Sequence, residues 1–119
     1  MVGADTVAAT YNDPALTRRI RGALVGWFGA NQVETISAEM GGEDFSEFGR
    51  TVEHVPICLF RLGAVDPVKV AESERTGEPL PSLHSSRFAP LPEPTLKAGV
   101  EAMTAVALDL LKKDQPAAH

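Results

Sequence analysis

Apolar residues recur at spacings of three and four along "NDPALTRRIRGALVGWFG": Leu16, Ile20, Ala23, Leu24, Trp27 and Phe28 fall on one face of a helix. Asp13 stands at the N-cap and Pro14 at the first helical position, where its missing N–H does no harm. Gly29 stops the helix. Arg18, Arg19 and Arg21 lie mostly on the opposite face and read as its solvated side. A second helical period runs from about Thr95 to Lys113, with Leu96, Val100, Met103, Ala107, Leu110 and Leu111 on one face. Lys112 and Lys113 complement its C-terminal dipole.

Between these helices the period changes. Val33 to Ile36 offers a short strand, and "VPICLFRLG", residues 55–63, is nearly all apolar, the pattern of a strand covered on both faces. A short helix from about Asp44 to Arg50 follows the turn "GGEDF". Residues 64–94 carry Pro67, Pro79, Pro81, Pro90, Pro92 and Pro94 and show no regular period, so they read as a long irregular connection. Its charged middle, "KVAESERTGEP", has room for a helical turn, and the apolar "LPSLHSSRFAPLP" packs back onto the domain. The fold class expected is α/β, two or three strands with the helices Asp13 to Phe28 and Thr95 to Lys113 packed on the sheet. Residues 1–12 read as a lead-in, 13–113 as the body and 114–119 as a disordered tail.

Composition narrows the functional classes. The chain has 119 residues, 44% hydrophobic and 23% charged, the balance of one small globular domain. With 11 basic against 16 acidic residues its net charge is −5, which argues against nucleic acid or an anionic membrane as the partner. No apolar run approaches a membrane span and the N-terminus is not a signal peptide, so the default location is cytoplasmic. Cys58, the single cysteine, excludes an internal disulfide and sits in an apolar run as a small core residue rather than a nucleophile.

Candidate chemistry is sparse. There is no HExxH, no CxxC and no histidine pair at helical spacing. His84 is flanked by apolar and hydroxyl residues, His54 precedes the apolar run as a surface residue, and His119 ends the tail. Ser85 and Ser86 beside His84 lack the elbow motif of a serine nucleophile. In "AEMGGEDFSEF", Gly41 and Gly42 stand in front of Glu43 and Asp44. Two readings compete: a turn into a helix that favours early negative charge, or an active-site wall where glycines admit close backbone approach.

Three segments in order, "YNDPALTRRIRGAL", "MGGEDFSEF" and "LPSLHSSRFAPLPEPTLKAGVEAMTAVAL", resemble the C-terminal part of the metal-dependent amidohydrolase and peptidase family, which includes hippurate hydrolases, aminoacylases and auxin-conjugate hydrolases. The likeness runs from about Tyr11 to Lys112, and the apolar run 55–63 falls where the family has a strand. It implies a partial three-layer sheet, a fragment of a zinc-peptidase-like catalytic domain entered from an inserted domain through residues 1–12. It implies hydrolysis of amide bonds in N-acyl amino acids or peptides, with a metal-bound water activated by a divalent cofactor, zinc or manganese. By the same resemblance His84 is a metal ligand, and Gly41, Gly42, Glu43 and Asp44 lie next to the substrate.

The family's remaining ligands and its glutamate base fall upstream of the matched region, where the stretch before Tyr11 has no histidine and only Asp5 as carboxylate. "APLPEP" also replaces the Asp- or Asn-rich helix entry of many relatives. The chain therefore reads as a C-terminal fragment with no catalytic residue of its own, partnered by the missing N-terminal part and open to self-association. The alternative is a non-catalytic interaction module of the same architecture.

Overall fold

The computed structural model describes residues 8–39 and 43–112, which form helices and no strand. Gly41 and Gly42, and the tail with His119, lie outside the described residues. In chain order the elements are α1 (Pro14–Phe28), a 3-10 turn (Ala30–Gln32), a 3-10 helix (Asp44–Arg50), α2 (Pro67–Thr76) and α3 (Pro92–Leu110). The chain divides into two compact units, Met1–Phe60 with Thr104–His119, and Arg61–Met103.

In the first unit α1 forms where its caps predict. The Asp13 carboxylate accepts the Leu16 N–H at 2.7 Å, satisfying one of the free amides of the first turn. Gly29, at φ 88°, ends the helix in a backbone region that a side chain disfavours, its N–H reaching the Val25 carbonyl at 2.9 Å. Ile20 and Leu24 are the buried residues of this helix. Arg19 ties α1 to the end of α3 through Nε to the Asp109 carboxylate at 2.8 Å and a second N–H to the Asp109 carbonyl at 2.6 Å.

The expected α/β sheet is absent: neither 33–36 nor 55–63 is a strand, and the regular elements among the described residues are all helices. The physical reason is visible in the apolar run. The Asn12 side-chain amide brackets Leu59, donating to its carbonyl at 2.8 Å and accepting its N–H at 2.7 Å, and the Asp13 N–H donates to the Ile57 carbonyl at 2.9 Å. The potential partner strand turns into α1 at Pro14, so a side chain and one backbone group stand in for a ladder. Pro56 removes a further donor from the run.

In the second unit the irregular connection expected over 64–94 contains a ten-residue helix, α2. Its start repeats the logic of α1, with Asp66 accepting the Val68 N–H at 2.9 Å and Pro67 at the first turn. Gly77 ends it in the left-handed conformation. The Leu91 N–H bonds the Ala64 carbonyl at 2.9 Å, pinning the approach to α3. Helix α3 begins at Pro92, a turn earlier than its period suggests, because prolines in a first turn forfeit only amides that have no intrahelical partner.

The apolar stripe assigned to α3 faces outward. Leu96, Val100 and Met103 are 69%, 68% and 61% exposed, while Ala102, Ala105 and Val106 are the buried residues of the helix.

Candidate functional site

From Glu43 onward, the described part of the GGEDF segment starts a helix. Glu43 is the N-cap of the 3-10 helix, and its carboxylate accepts the Phe45 N–H at 3.3 Å. Asp44 and Glu47 place negative charge in the first turn and Arg50 positive charge in the last, the polarity that a helix dipole favours. The Thr10 hydroxyl donates to the Glu43 carbonyl at 3.4 Å. Glu43 and Asp44 are both exposed to solvent.

His84 lies on a turn in the second unit, exposed to solvent. Local bonds hold that turn: the Ser85 N–H to the Ser82 carbonyl at 2.9 Å, the Phe88 N–H to the Ser85 carbonyl at 3.0 Å, and the Arg87 N–H to the Ser85 hydroxyl at 3.2 Å. Ser85 thus acts as a turn former, an ordinary use of a serine hydroxyl. Glu43 and Asp44 belong to the first unit and His84 to the second.

A metal centre needs three or four protein ligands converging on one point. Among the described residues no group of three His, Cys, Asp or Glu side chains could hold a metal ion. The donors present do not amount to the zinc or manganese site that the resemblance implies; His84 offers one imidazole. Cys58 is half-buried, and the Thr17 hydroxyl donates to its sulfur at 3.6 Å.

A different cluster emerges in the first unit that the sequence did not single out. A cavity of about 330 Å³ is lined by Tyr11, Ser46, Arg50, His54, Val55 and Ile57, among others. The 3-10 helix meets the apolar run at one edge, where a Cβ on Gly49 would come within 3.0 Å of the Ile57 side chain. His54 closes a turn through its N–H to the Thr51 carbonyl at 3.0 Å and sits at φ 47°, a region costly for a residue with a side chain. Beside it the Thr51 side chain hydrogen-bonds the Glu53 carboxyl and holds it below the usual carboxylate range. Ser46 is only 3% exposed and its hydroxyl has no hydrogen-bond partner. A lone serine between Phe45 and Glu47 carries no motif, which is why spacing did not reveal it.

No family model, curated protein or solved structure matches the chain. No helix among the described residues is long and apolar enough to cross a membrane.

Proposed function

We propose that the chain is the C-terminal part of a metal-dependent amidohydrolase acting on N-acyl amino acids or peptides, inactive without the N-terminal part, to which His84 contributes a ligand. The observation that carries this reading is the ordered pair "GGEDF" and "LHSSRF", the second of which carries an exposed His84 on a turn held by local bonds. An exposed imidazole with no local ligand set suits a site completed from elsewhere. The resemblance rests on these motifs and not on the fold. A neutral imidazole is a competent ligand for zinc or manganese, and such an ion supplies Lewis acidity and an activated water when the full set is assembled.

The test begins with the reading frame upstream of Met1. An open frame encoding a histidine or cysteine pair and a Glu-Glu dipeptide is expected. Co-expression of that segment with this chain then restores hydrolysis of N-acetyl amino acids, and His84→Ala removes it. A stop codon close upstream, with the short protein made in cells, overturns the reading, as does restored activity indifferent to H84A.

The second reading, a non-catalytic interaction module, draws on the outward stripe Leu96, Val100 and Met103, since exposed apolar patches mark surfaces that meet partners. Complementation separates the two, because hydrolysis returns only under the first.

A further inference from the structure

We draw no further inference here: the strongest candidate, the outward stripe of Leu96, Val100 and Met103 on α3, is an unpartnered apolar face, and nothing in the structure shows what covers it.

Discussion

Helices α1 and α3 were drawn from the same kind of signal, and they meet opposite fates. In α1 the residues selected by periodicity include those that are buried, Ile20 and Leu24. In α3 the selected residues are exposed, and the small side chains Ala102 and Ala105, with Val106, take the interior. Periodicity identifies a helix because side chains at three and four apart share a face. It does not say whether the chain has anything to place against that face. Small residues let backbones approach closely, so the Ala face of α3 suits packing within the chain. Its larger stripe of Leu96, Val100 and Met103 stays exposed. Of the apolar side chains, none is fully enclosed among the described residues, so the core is thin.

The largest expected effect breaks the comparison at its centre. Leu24 is 8% exposed, and Leu24→Ala should cost roughly 2–5 kcal/mol, toward the lower end because the site is not wholly enclosed. Val100→Thr, by contrast, should stay within about 0.5 kcal/mol in urea unfolding, as an exposed substitution does. A loss at V100T as large as that at L24A would mean that the α3 stripe is covered, for instance by a second copy. Repeating the melts over a range of protein concentration would reveal that cover.

A smaller effect of opposite sign concerns two glycines of α1 that line an open groove with Ala105 and Asp109 of α3. Gly22 and Gly26 are exposed, and a Cβ at either would meet nothing within 4 Å. Glycine inside a helix loses more backbone freedom on folding than alanine does. Gly22→Ala should therefore raise stability by about 0.5–1 kcal/mol. Destabilisation instead would show that another surface packs on this face, close enough to exclude a methyl group.

The legible parts of the fold are those fixed by a few neighbouring residues. Asp13, Pro14 and Gly29 specify α1 from within eighteen positions of each other, and the structure agrees on both ends. The same signature, Asp66, Pro67 and Gly77, marks α2, yet a proline-rich stretch without apolar period hid it. Caps act through the backbone and do not need an amphipathic face. The apolar run 55–63 failed for the complementary reason. A strand is defined by its partner, and here Asn12 and Asp13 supply too little of one. The candidate site divides along the same line. Glu43 and Asp44 were legible as a charged helix start, whereas the groove lined by residues 11, 46 and 54–57 joins positions far apart in sequence, which no local pattern encodes.

The smallest expected effect lies where α1 and the end of α3 are joined. The Arg19 side chain hydrogen-bonds the Asp109 carboxylate and holds it below the usual carboxylate range, with Lys112 a weaker contributor at 3.8 Å. In the unfolded chain that restraint is gone, so the unfolded state binds the proton more readily. Stability from this contact is therefore complete above the ordinary carboxylate pKa of about 3.9 and is lost as pH falls through the lower folded value. Asp109→Asn should flatten the acid limb of a pH–stability curve measured by urea unfolding, and salt should flatten it further because the pair is partly exposed. Glu53, lowered by its Thr51 bond, adds to the acid slope in both proteins and cancels in the comparison. Equal acid limbs for the native chain and D109N would show that the pair adds nothing to the joint. The Ala105 and Val106 face would then hold the end of α3 by packing alone.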